Sequence, residues 1–152
     1  MKVLIYNIDK GGLKNYSGYL ANSLVKQKND ITLSDKIDYS NYDLVHTQFE
    51  HTLFHPFGLK LIPKLVILRM KKKKIVITNH TILKRGEIYS RNRLILFIKR
   101  VLLPLDETLM GILSDKIIVH TTYAKKILIN DYKIPKEKVE VIPLGVYQEF
   151  KK

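Results

Sequence analysis

The 152-residue chain contains no cysteine. A disulfide framework, a thiolate metal site and a cysteine nucleophile are thereby excluded. Long apolar runs are missing as well. The best candidate, Leu59 to Leu68, is broken by Lys60, Pro63 and Lys64, so nothing approaches the roughly 18 uncharged residues of a bilayer-spanning helix. The opening does not read as a secretory leader, because Val3 to Ile8 is followed at once by Asp9 and Lys10. These absences lead us to expect an intracellular chain, cytoplasmic and either soluble or lying on a membrane surface. Acidic residues are nearly missing from one segment. Residues 58–100 hold 13 basic side chains against Glu87 alone, whereas the flanking stretches are close to neutral and the whole chain stands at +13. Such a stripe attracts an anionic partner: lipid headgroups, nucleic acid or a phosphorylated ligand. A solvated face that only keeps the chain soluble is the plainer reading.

What is present is enough for one domain. A chain of this size buries about 68–70% of its unfolded surface and needs no metal to fold. With 45% hydrophobic residues it is not a disordered tail. Short β-branched runs at Lys2–Ile8, Ile31–Ser34, Tyr42–Thr47, Lys74–Asn79, Lys116–His120 and Val139–Ile142 read as strands. Between them, Leu13–Lys28, His51–Met70, Arg91–Leu113 and Tyr123–Asp131 read as helices. Kinks are expected near Pro56–Gly58 and at Pro63, and Pro104 should bend the third helix or start another. The alternation predicts an α/β fold: a Rossmann-like, doubly wound parallel sheet in a single domain over residues 1–143.

In such a sheet, ligands bind at the carboxyl ends of the strands. Gly11 and Gly12 sit between the first strand and first helix, where backbone can approach a ligand and helix N–H groups face an anion. A tight turn is the plain alternative, and the G-x-G-x-x-G fingerprint is absent. His80 ends the strand KIVITN, where it could bind a ligand or exchange a proton. Thr78, Asn79 and Thr81 place polar atoms around it for a hydroxylated ligand. His46 ends YDLVH in the same way. His46, His51 and His55 with Glu50 could suggest a metal, but H-E-x-x-H is absent and no metal is expected. Bases interleaved with apolar residues in 58–100, among them Lys64, Arg69, Lys71, Lys72, Arg85, Arg91 and Arg93, suit an anionic membrane or an anionic acceptor. A basic nucleic-acid-binding module is the alternative, although no readout motif supports it.

Five segments, in order, resemble the N-terminal domain of family-4-type glycosyltransferases of the two-domain GT-B fold. KVLIYNIDKGGLKNYSGYLANSL resembles the opening strand, glycine loop and helix. YDLVHTQ resembles the D-V-V-H-x-H strand, with Gln48 where a second histidine is common. KIVITNHT resembles the strand ending in an acceptor-side histidine. SDKIIVHTTYAKKIL resembles A-D-x-I-I-x-x-S, with Thr121 or Thr122 near the serine. KVEVIPLGVYQEF resembles V-I-P-N-G-V-D-x-x-x-F, with Leu144 and Tyr147 departing from the pattern.

The resemblance implies a retaining glycosyl transfer without a metal or cofactor, a nucleotide-sugar serving as co-substrate. Gly11 and Gly12 would approach the donor, His80 would sit beside the reacting sugar, and His46, Asn79 and Thr122 would line the cleft. The basic residues would hold a lipid-linked or other membrane-associated glycan acceptor at an anionic surface. The family's donor-binding domain, with its Glu-x7-Glu motif, has no counterpart here. Residues 144–152 are therefore expected to begin an interdomain hinge, and the donor-binding half to be a partner in the same or a separate chain. A structural subunit whose partner performs all the chemistry is the plainer reading.

Overall fold

The computed structural model describes residues 1–7, 12–37, 39–50, 60–87 and 90–145. The chain runs β1 (Lys2–Tyr6), α1 (Gly12–Lys26), β2 (Asp30–Ser34), β3 (Leu44–Phe49), α2 (Ile62–Met70), β4 (Lys74–Asn79), α3 (Arg93–Leu113), β5 (Lys116–Val119), α4 (Thr122–Asn130) and β6 (Val139–Val141). All six strands are parallel, in the order β2-β1-β3-β4-β5-β6. The Rossmann-like α/β sheet expected from the sequence is thus present. From β1 the chain first steps outward to β2, then crosses back to place β3 on the other side of β1. That reversal opens a crevice beyond the carboxyl ends of β1 and β3.

Side chains alternate across each strand, and the register carries that alternation over the sheet. Leu4, Val45, Ile75 and Ile77 share one face, and Ile117 continues it beside Ile77. Helices α2, α3 and α4 cover this face. Leu61, Leu65, Leu68 and Met110 close one core over β1, β3 and β4, and Ile127 and Leu128 close another over β5 and β6. Each fully buried Leu, Ile or Phe contributes about 1.5–3 kcal/mol. Helix α1 lies on the opposite face.

The helix starts follow from the sequence. Asn92 caps α3 by accepting from the N–H groups of Leu94 (2.9 Å) and Ile95 (3.2 Å), and Thr121 caps α4 through Ala124 (3.0 Å). Pro63 does not kink a longer helix. It occupies the first turn of α2, where its missing N–H has no helical partner to lose. The expected helical segment 51–59 lies outside the described residues. Pro104 neither breaks α3 nor starts another helix; it sits inside one continuous element. Residues 93–101 before it are mostly exposed, whereas Leu103, Asp106, Glu107 and Met110 are buried. Lys138, just before β6, clamps the far end of α3: its Nζ donates to the carbonyls of Gly111 and Ser114, both at 2.9 Å. Of the expected hinge only Leu144 and Gly145 are described, both exposed.

Gly111 is where α3 packs on Ile134. A Cβ there would lie 2.7 Å from both Cγ1 and Cδ1 of that buried side chain. A helical Gly→Ala change ordinarily stabilises by about 0.5–1 kcal/mol, but overpacking costs about 1–3 kcal/mol. Gly111→Ala is therefore expected to lower the urea midpoint. Gly18→Ala in α1, with nothing within 4 Å of the new Cβ, is expected to raise it.

Candidate functional site

Parallel sheets covered on both faces are usually apolar throughout. Here the α1 face turns polar toward the carboxyl ends of β3, β4 and β5. His46 and Gln48 alternate along β3, Thr78 and His80 along β4, and His120 follows β5. The pairing of His46 with Val76 and of Gln48 with Thr78 places them on one side. His46, Gln48 and Thr78 are buried, and His80 is half-buried at the carboxyl rim.

These side chains form one hydrogen-bonded chain. His46 Nε2 lies 2.8 Å from Thr78 Oγ1 and 3.4 Å from Gln48 Nε2. The Gln48 Oε1 lies 2.9 Å from His80 Nε2. His80 Nδ1 lies 3.3 Å from His120 Nε2, and His120 Nδ1 donates to the Ile142 carbonyl at 2.9 Å. Tyr16 of α1 packs edge-on against the His80 and His120 rings, 5.1 Å and 5.9 Å between centroids. The loop after His80 is held by the Tyr132 hydroxyl, which donates to the Leu83 carbonyl. Burial, then the charges of Glu107 and Asp131, push that phenol up to about 12.

Proton positions follow from the end of this chain. The Ile142 carbonyl can only accept, so His120 carries hydrogen on Nδ1. A neutral His120 accepts at Nε2, which makes His80 the donor at Nδ1 and leaves His80 Nε2 an acceptor. With the Gln48 carbonyl facing His80 Nε2, the histidine pair must hold one proton beyond neutrality. With the amide turned over, Gln48 donates to His80 and accepts from the His46 Nε2–H, which Thr78 Oγ1 shares, and no charge is required. Burial, followed by the charge of His120, lowers His80 to about 4, against an opposing pull from Glu50. Burial, then His80, lowers His46 to about 4. At neutral pH His46 and His80 are therefore uncharged, and His80 offers a neutral imidazole at the crevice rim.

The structure sorts the expected site residues. It unites His46 and His80 through Gln48. It directs Asn79 to the other face, where its Nδ2 donates to both carboxylate oxygens of buried Glu107 at 3.1 and 3.0 Å. Thr122 is exposed as the first residue of α4, beside the capping Thr121. Gly11 lies outside the described residues. Gly12 opens α1, and a Cβ there would meet nothing within 4 Å among the described residues. A pocket of about 380 Å³ adjoins it, lined by Asn7, Lys14, Leu33, Ser34 and Asp35.

Of the imagined histidine–metal cluster, His51 and His55 lie outside the described residues. Among the described residues no group of three or more His, Asp or Glu side chains is arranged to hold a metal. No described helix is long and apolar enough to cross a membrane.

The basic stripe is contiguous in sequence but not in space. Lys64 donates to the buried Tyr6 hydroxyl and lies over its ring. Arg69 pairs with Asp115 at 2.9 Å. Lys71 and Lys72 precede β4, at the amino end of the sheet. Arg85, Arg91 and Arg93 follow β4 and are exposed at the carboxyl end.

Sequence reasoning passed over His120, Gln48 and Tyr16 as members of this site. The signal was available: polar residues two apart in LVHTQ and in TNH must share a face.

Burial keeps both histidines uncharged at pH values where a free imidazole would take up a proton. Their folded values lie below the ordinary 6.5, so the stability they contribute is complete above pH 6.5 and is lost as pH falls from there toward 4. For His46 the loss is about 3 kcal/mol. Urea midpoints at pH 7 and pH 4.5 check this: a pronounced acid loss is expected in the native chain and a shallower one in His46→Gln. An equal loss in both would contradict the assignment.

Among curated proteins, none matches this chain. The sequence pattern of Glycosyltransferase Family 4 does match it, over residues 28–150. That span takes in β3, β4, β5 and β6 and, with them, every histidine of the polar chain, so the chain belongs to glycosyltransferase family 4.

Proposed function

We propose that this domain is the acceptor-binding half of a retaining GT-B glycosyltransferase, transferring a sugar from a nucleotide-sugar donor to a lipid-linked or other membrane-associated glycan. Membership of family 4 gives glycosyl transfer in general. The observation that supports the finer reading is the His80 imidazole at the crevice rim, braced by His120, Gln48 and Tyr16. A neutral imidazole accepts from a sugar hydroxyl or donates to one, and its bracing holds the ring in one orientation. His46 acts from within the sheet, by fixing Gln48. In this reading the donor approaches the start of α1, where a Cβ on Gly12 would meet nothing within 4 Å among the described residues.

The second wall of the cleft is supplied by a donor-binding domain, in the same chain or another. The reaction needs no metal or further cofactor in this reading. The domain works at the cytoplasmic face of a membrane, with anionic lipid as the surface partner. Separation of the basic residues to two ends of the sheet weighs against a continuous nucleic-acid track.

Paired with its donor-binding half, His80→Ala is expected to lower transfer by about a hundredfold or more, while His120→Asn, which keeps a donor to Ile142, retains more activity. Initial rates with radiolabelled nucleotide-sugar measure both. Undiminished turnover in His80→Ala would return this domain to the role of a structural subunit.

A further inference from the structure

The first half of α3 is the most unusual surface of the molecule. Leu94 and Phe97 are 68% and 67% exposed, and Val101 and Leu105, at 50% and 47%, extend the same line down the helix. Positions 94, 97, 101 and 105 fall within one narrow arc of a 3.6-residue helix. Arg93 and Arg100 flank this arc on one side, and Arg91 stands just before the cap. No acidic residue occurs in α3 before Asp106, which is buried. Beside the stripe opens a groove of about 400 Å³ lined by Arg85, Arg100, Val101, Pro104, Leu105 and Thr108. Val101 and Leu105 belong to both. Neither Arg85 nor Arg100 has an ion pair among the described residues.

An apolar ridge, cations along its edge and two guanidinium groups over an apolar-floored groove match one kind of surface. Anionic phospholipid offers acyl chain and phosphate at this spacing, side by side. A soluble protein partner would meet the arginines with carboxylates but would leave unexplained why they border the apolar line rather than stand apart from it. Because α3 begins at the carboxyl end of the sheet, the surface lies at the same end as His80.

We infer that the first half of α3 lies in the headgroup–acyl boundary of an anionic bilayer, with Leu94 and Phe97 inserted and a lipid phosphate seated between Arg85 and Arg100. The inference deepens the membrane-side reading above and rests on it for the bilayer as occupant.

Sedimentation with phosphatidylglycerol–phosphatidylcholine vesicles, against phosphatidylcholine alone, tests it. Native chain is expected to partition at least about tenfold better onto the anionic vesicles, and less so as salt rises. Arg85→Gln and Arg100→Gln should each cost about fivefold. The pair Leu94→Ser with Phe97→Ser should cost roughly tenfold or more. All four positions are solvent-exposed, and matching urea midpoints establish that folding is intact. Lys71→Gln with Lys72→Gln, at the opposite end of the sheet, should leave partition unchanged.

Equal binding by native chain and α3 variants would overturn this surface while leaving the membrane reading in place. Absence of vesicle binding by native chain would overturn both. If light scattering shows a dimer that the Leu94→Ser, Phe97→Ser pair dissolves, and vesicles are not bound, the stripe is instead an interface between copies, and the inference fails. Losses in the Lys71, Lys72 variant equal to those in the arginine variants would reduce it to diffuse charge attraction.

Discussion

Polar side chains occupy the buried face of a parallel sheet at little cost when each finds a hydrogen-bond partner. An unsatisfied buried donor or acceptor costs about 1–3 kcal/mol, comparable with what a well-packed leucine returns. The chain from His46 through Gln48 and His80 to His120 meets that condition across three strands and ends on the Ile142 carbonyl. It constrains much else. A slip of one residue in β3 or β4 would turn these groups onto the apolar side and send Val45 and Ile75 to the polar one. Helix α1 must stand where Tyr16 can seal the two rings. The ladder therefore fixes register and builds the crevice wall by one set of bonds.

Much of the architecture was legible because period and punctuation agree. Each apolar run with β-branched residues became a strand, in the expected order. Helix ends were read less well, since a proline in sequence does not announce whether it starts a helix or sits within one. Pro63 starts α2 because nothing upstream of it needs its N–H; Pro104 is tolerated inside α3 where the buried half of the helix, from Leu103 on, holds it.

The site was legible at single positions and obscure as a constellation. His80 was found from its place at a strand end. His120 occupies the equivalent place on the next strand, but only the register shows that the two rings meet. Asn79 looked like a neighbour of His80 in function because it is one in sequence. The two-residue period of a strand sends it to the opposite face, where Glu107 holds it. The basic stripe misled in the same way: proximity along the chain passed for proximity in space, until the fold carried Lys71 and Lys72 to one end of the sheet and Arg85 and Arg93 to the other.

The clamp by Lys138 gives α3 a direction. Its last turn is tethered to the entry of β6 through the Gly111 and Ser114 carbonyls, while its opening turns rest on little but solvent. A rod fixed at one end fails from the other. Fraying would begin at Arg93, be eased by the ladder bond that Pro104 cannot make, and stop at Leu103 and Pro104, where burial starts. The outer turns can thus tilt or unwind to suit whatever they rest upon, and the floor of the crevice does not feel it.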